Sequence, residues 1–96
     1  MSALIWFRFC LYVADDAPNS SQAIANLTSF CHTYLANQHE IEIVDVLEDP
    51  HRGIAQSIIM TPTLIKLTPL PVRRIIGTLS NTQVLLDVLG LTSRAA

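Results

Sequence analysis

Ten consecutive residues, Leu4 to Val13, are apolar on both alternating faces except at one arginine. Ile5, Phe7, Phe9, Leu11 and Val13 share one side of an extended chain. Leu4, Trp6, Cys10 and Tyr12 share the other with Arg8. A strand of this kind has no face to turn to water and belongs inside a sheet covered on both sides. That demand excludes a bundle of helices and a one-sided sheet. At 96 residues the chain has room for one domain with a modest core, and a single domain over 1–96 is the expectation. Half of the residues are hydrophobic and only 15% are charged, against about a quarter in an average domain, which excludes a wholly disordered chain. No run reaches the ~18 uncharged apolar residues of a spanning helix. The start lacks the basic residues and small-residue cleavage site of a secretion signal. A cytoplasmic location is expected, with some apolar surface hidden in an oligomer.

The remaining elements follow from periodicity and punctuation. The loop Ala14–Ser20 ends the first strand; Asn19 or Ser20 can cap the next helix, and Asn19 with Gln22 three residues on reads as a capping box. A helix from about Ser20 to Ala36 carries Ile24, Leu27, Cys31, Tyr34 and Leu35 on one stripe, widened by Ala23 and Phe30. A second strand is expected at Glu40–Leu47. Asp49-Pro50 then starts a short helix to about Ile58, weakened by Gly53. Thr61-Pro62 breaks the chain before a strand at Thr63–Leu67. The stiff turn Pro69-Leu70-Pro71 leads into a fourth strand at Val72–Gly77, with Arg73 and Arg74 on opposite faces. Ser80 with Gln83 reads as a capping box for a helix over Asn81–Leu89, which Gly90 ends. The order βαβαββα, with a parallel crossover first and a hairpin later, is that of a thioredoxin-like domain.

The chemistry of a thioredoxin is missing from it. That reaction needs two thiols two residues apart at the start of the first helix, where the helix dipole favours a thiolate. The position reads Ala17-Pro18-Asn19-Ser20-Ser21-Gln22. Cys31 lies more than two turns further on, and Cys10 and Cys31 read as buried structural thiols. His32, His39 and His51 form no metal-ligand spacing. Asp15-Asp16 reads as a turn with helix-entry charge. With only three glycines there is no phosphate loop, so no cofactor or metal is expected. A net charge of −2 excludes a dedicated nucleic-acid binder. The charges are unevenly spread: Glu40, Glu42, Asp45, Glu48 and Asp49 fall together, and so do Lys66, Arg73 and Arg74. The plain reading is solvated faces; the sharper one is a basic edge presented to an acidic partner.

Several strings point to a family when taken in order: Leu11-Tyr12-Val13-Ala14, Pro18-Asn19-Ser20, Ile43-Val44-Asp45-Val46-Leu47, Asp49-Pro50, Thr61-Pro62-Thr63-Leu64, Pro71-Val72-Arg73-Arg74-Ile75-Ile76-Gly77 and Leu79-Ser80-Asn81. With this order and spacing the chain resembles the KaiB family of circadian clock proteins over about residues 4–91. The resemblance implies a non-enzymatic regulator that binds the N-terminal ring of a KaiC-type ATPase and helps sequester KaiA. It also implies two folds: a thioredoxin-like monomer that binds the ring, and a ground-state fold with a rearranged C-terminal half that forms dimers and tetramers. The near-continuous apolar runs Val84–Leu89 and Ile54–Ile59 suit either a helix or a strand.

Carried over residue by residue, the family's contacts fall on Lys66, Arg73 and Arg74. They also fall on Gln22 and Ser57, where relatives commonly hold basic residues, and Thr61-Pro62 forms a turn whose peptide bond is usually cis in such folds. The chain departs from the family at Val88 and Gly90, at Asp15-Asp16, and in the missing acidic tail. These differences point as well to a divergent paralogue outside the core clock. A KaiB-like sensor or adaptor module of a histidine kinase pathway is a second reading; it would need a kinase region downstream. No nucleic-acid or membrane partner is expected.

Overall fold

The computed structural model describes residues 5–15 and 17–91. Seven elements follow one another: β1 (Phe7–Val13), α1 (Pro18–Tyr34), β2 (His39–Asp45), α2 (Pro50–Ala55), β3 (Thr63–Thr68), β4 (Arg73–Ile76) and α3 (Thr82–Val88). The βαβαββα order expected from the sequence is the order observed. The sheet runs β2-β1-β3-β4. β1 pairs with β2 in parallel from Phe7↔His39 to Val13↔Asp45. β3 is antiparallel to both β1 and β4.

β1 is covered on both sides, as its composition demands. Phe7, Phe9, Leu11 and Val13 pack with Ala23, Leu27, Phe30 and Cys31 of α1 and Leu85 of α3. Cys10 and Tyr12 pack on the other face with Val44, Ile65, Val46 and Ile58, beside α2. The alternation of β1 thus separates two cores, and the two cysteines sit in different ones. Both are free and buried.

Several boundaries and caps differ from the sequence reading, each for a local reason. β1 begins at Phe7, and Ile5 and Trp6 before it are exposed. Pairing with β2 starts only at Phe7, so neither is inside the sheet. Leu4 lies outside the described residues. The expected capping box on α1 does not form. Its N-cap is Ala17, with Pro18 in the first turn and no side-chain cap. A proline there has no N–H to leave unpaired. Ser20 is buried inside the first turn, and its hydroxyl accepts from the Ala14 amide at 3.2 Å. Tyr34 leaves the core stripe; it is exposed and packs on Phe30 at 4.8 Å between ring centroids.

β2 ends at Asp45, two residues short of Leu47, because the Leu47 amide turns to the Asp45 carboxylate at 2.9 Å. α2 ends at Ala55, three residues short of Ile58. There the Ser57 backbone turns to a φ of 55°, and the Ile58 amide donates to the Gly53 carbonyl. The second expected capping box also fails. Asn81 is the N-cap of α3, accepting from the Val84 amide at 3.2 Å. Gln83 donates instead to Asp87 at 2.9 Å. β3 and β4 fall within one residue of their expected bounds, and Gly90 follows α3 with a φ of 72°.

Candidate partner-binding surfaces

α2 and the turns around it leave several large apolar side chains exposed. α2 is only six residues long, and Ile54 is its one large apolar side chain. Gly53 faces the sheet, so close that a Cβ there would meet Val46 Cγ1 at 3.1 Å. The large side chains are left outside: Ile54 is 77% exposed and Ile59 92%, with Met60 and Leu47 also open. Sequence reasoning placed Ser57 here but missed these residues. The signal is the run Ile54–Ile59, whose sequence suits a buried helix or strand equally well.

The surface is held from two sides. Arg52 of α2 forms an ion pair with Glu42 of β2, its second nitrogen reaching the other carboxylate oxygen at 3.0 Å. That nitrogen also lies 3.8 Å from the Cys10 sulfur. The Arg52 guanidinium holds the Glu42 carboxyl below its ordinary pKa. At the other end, Arg74 of β4 donates to the carbonyl of Gln56, directly before Ser57. The loop to β3 is closed by the Thr63 hydroxyl, which donates to the Met60 carbonyl, and by the Gly77 amide on the Pro62 carbonyl at 2.9 Å. The Thr61–Pro62 bond is cis, as are Thr68–Pro69 and Leu70–Pro71. Pro62 is buried and Thr61 half-buried.

The sequence-predicted contact residues therefore divide. Ser57, Thr61, Pro62 and Arg74 come together around the end of α2. Gln22 is exposed on α1, which covers the opposite face of the sheet. Lys66 and Arg73 are cross-strand neighbours on the α1 face. Lys66 is buried, and its amine is held below its ordinary pKa first by burial and then by the Arg73 charge. Arg73 and Arg74, adjacent in sequence, do point to opposite faces.

Both thiols are buried. Burial pushes Cys31 up to about 12 and raises Cys10, where the Tyr12 hydroxyl offsets part of the effect. The N-terminal turn of α1 displays Asn19 and Ser21 but no sulfur. A shallow hollow of about 260 Å³ lies between β4 and α3, lined by Ile75, Ile76, Leu79, Asn81 and Val84 among others. Among the described residues no helix is long and apolar enough to cross a membrane.

Comparison with known proteins gives one answer by sequence and a broader one by shape. Residues 10–91 match the KaiB domain family. The chain is 48% identical over 73 residues to the circadian clock protein KaiB3 of Synechocystis sp., covering 76% of this chain and 72% of that one. It is 41% identical over 81 residues to the circadian clock oscillator protein KaiB of Synechococcus sp., covering 84% and 79%. By structure it is similar to the N-terminal domain of SasA from Synechococcus elongatus. The TM-score is 0.73 at 17% identity, over all of this chain and 94% of that domain. Thioredoxins share the arrangement at 12–18% identity, with TM-scores of 0.70–0.75.

Proposed function

The chain belongs to the KaiB family of circadian clock proteins, and from that membership we propose that it is a non-enzymatic clock regulator that binds a KaiC-type ATPase ring. The observation that carries this reading is the family match, which spans residues 10–91, from within β1 to beyond α3. The apolar surface of α2 and the following turn supports it. Ile54, Ile59 and Met60 are exposed to an extent that a folded chain seldom leaves without a partner. A protein surface that covers them would gain their burial, while Ser57 adds a polar contact at its margin; Gln22, across the sheet on α1, would serve a separate contact. Lys66, Arg73 and Arg74 are the basic candidates for contacts with the ring or between subunits. The same chain, acting in the cytoplasm as one domain over 1–96, would help sequester KaiA and would pass between an oligomer and a ring-binding monomer.

Identity of 48% to KaiB3 against 41% to the oscillator protein favours a divergent paralogue with its own KaiC-type partner. Size-exclusion chromatography of the full chain with a KaiC-type ring and ATP tests the reading. A co-eluting complex is expected, and Ile59→Asp with Met60→Asp should abolish it while the far-ultraviolet spectrum stays unchanged. Replacing Arg73 and Arg74 with Ala should weaken ring binding or oligomer assembly. Failure to co-elute with every KaiC-type ring of the source organism would overturn the proposal.

A further inference from the structure

Lys66 is the only lysine in the chain; the remaining cations, histidines aside, are arginines. Lysine is almost never covered unless it is paired. This one lies within β3 and is 4% exposed. Among the described residues it makes no hydrogen bond and no ion pair. No fully covered side-chain nitrogen or oxygen among those residues lacks a partner. The Lys66 nitrogen has none, so it is not fully covered: the stem is buried and the tip just reaches water.

Its immediate neighbours are not acids. Phe9 of β1 and Arg73 of β4 flank it across the ladder, on the same α1 face. No acidic residue occurs from Pro50 to Leu86. The two helices on that face, α1 and α3, carry a single acid between them, Asp87, which accepts from the Gln83 side chain at 2.9 Å. Lys66 therefore stands opposite a like charge, an arrangement that costs stability.

We propose that Lys66 is a carbamate-forming site: its amine takes up carbon dioxide reversibly, and Arg73 holds the resulting anion. The step needs no oxidant, reductant or further reactant. The lone pair of the neutral amine attacks the carbon of CO2, and an N–C bond forms. One C–O π bond opens onto its oxygen, and a proton leaves the nitrogen for water. A cation becomes an anion, and the repulsion from Arg73 becomes an attraction. Burial and the Arg73 charge also hold the amine below its ordinary pKa, which enlarges the neutral fraction able to react.

Size and charge select carbon dioxide among the groups an amine can take. A linear triatomic molecule can reach a nitrogen that is covered except at its tip, whereas a modifying enzyme cannot draw that side chain into its own site. Acetylation leaves a neutral amide, and an imine is neutral or cationic, so neither gives Arg73 an anion to hold. Arginine could not replace Lys66 here, because its guanidinium keeps its proton. The site uses the one property that separates this lysine from the arginines of the rest of the chain.

The test uses the full chain alone, without any ring, so its outcome is independent of the clock reading. In carbon-13 bicarbonate equilibrated with CO2 at neutral pH, the folded protein should show a carbamate resonance that disappears on degassing. Trapping with triethyloxonium ion and tandem mass spectrometry should place an ethyl carbamate on Lys66. Lys66→Met retains only the α-amino group and supplies the blank. Arg73→Gln, a change at an exposed position that leaves the amine in place, removes the counter-charge and raises the protonated fraction of the amine. It should lower occupancy at Lys66 several-fold at the same CO2 pressure, with an unchanged far-ultraviolet spectrum. Arg73→Lys keeps the charge and should restore that occupancy. Folded wild type with no more carbamate than Lys66→Met, or unchanged occupancy at Lys66 in folded Arg73→Gln, would overturn the proposal.

Discussion

Leu11 and Leu27 of the larger core are both fully buried. β1 is held between β2 and β3, and α1 is tied to the loop before α3 by the Asn26 side chain, which donates to the Thr78 carbonyl at 2.8 Å. A cavity there cannot collapse easily, so Leu27→Ala should cost about 2–5 kcal/mol of stability. A shift of the urea midpoint at unchanged slope would report it. The cysteines behave as packing residues. With both thiols raised by burial, a thiol reagent at neutral pH should label neither in the native protein and both after denaturation. The pH dependence has a definite sign. Cys31 is raised from 9.0 to about 12, so its contribution is complete below the unfolded value. It is lost as pH rises from about 9 towards 12, when the unfolded chain ionises first. Thermal melts across that window should fall with pH in the wild type and fall less in Cys31→Ala.

Among the elements, α2 is the one whose placement depends most on its neighbours. Six residues cannot hold a helix alone, and its N-cap Asp49 makes no side-chain cap. Gly53 lets it approach Val46. Gly53→Ala gains about 1 kcal/mol of helix propensity but crowds a contact already at 3.1 Å, and overpacking costs about 1–3 kcal/mol. The variant should be less stable than wild type, and the loss should vanish in a Val46→Ala background, as chemical denaturation would show. The Arg52–Glu42 pair ties the same helix to β2. Arg52→Ala should speed hydrogen exchange of the α2 amides without altering those of β1. Glu42 is held below its ordinary 4.5 by Arg52. The tie is therefore complete above that value and lost as pH falls through the lowered one, so exchange in α2 should quicken selectively in acid.

On the scale of the whole molecule, the order of elements was readable because turn and cap residues, from Pro18 and Asp49-Pro50 to Thr61-Pro62, Pro69-Leu70-Pro71 and Gly90, separate the apolar runs. The caps were not readable. Asn19, Ser20 and Ser80 all have acceptable capping chemistry, yet α1 starts at Ala17 with no side-chain cap and Asn81 caps α3. Leu79 shows a competition between backbone and burial. Its φ is 63°, a conformation leucine avoids at a cost of about 1 kcal/mol. Yet its side chain is buried under α3, and burying a leucine gains about 1.5–3 kcal/mol. Nothing local foretells that. The candidate surface was half legible: Ser57, Thr61 and Pro62 were on it, but Ile54, Ile59 and Met60 were not foreseen. An apolar run looks the same in sequence whether it is buried or left facing out.

From sequence alone the chain was committed to a sheet covered on both sides, because β1 has no face for water, and to a thiol-free first turn, because no cysteine is there to occupy it. The opposition of acidic and basic clusters was visible as composition. Only the tertiary structure decided that these clusters stand on opposite edges of one sheet. Strand order arises from long-range pairing of β1 with both β2 and β3, which no local periodicity encodes.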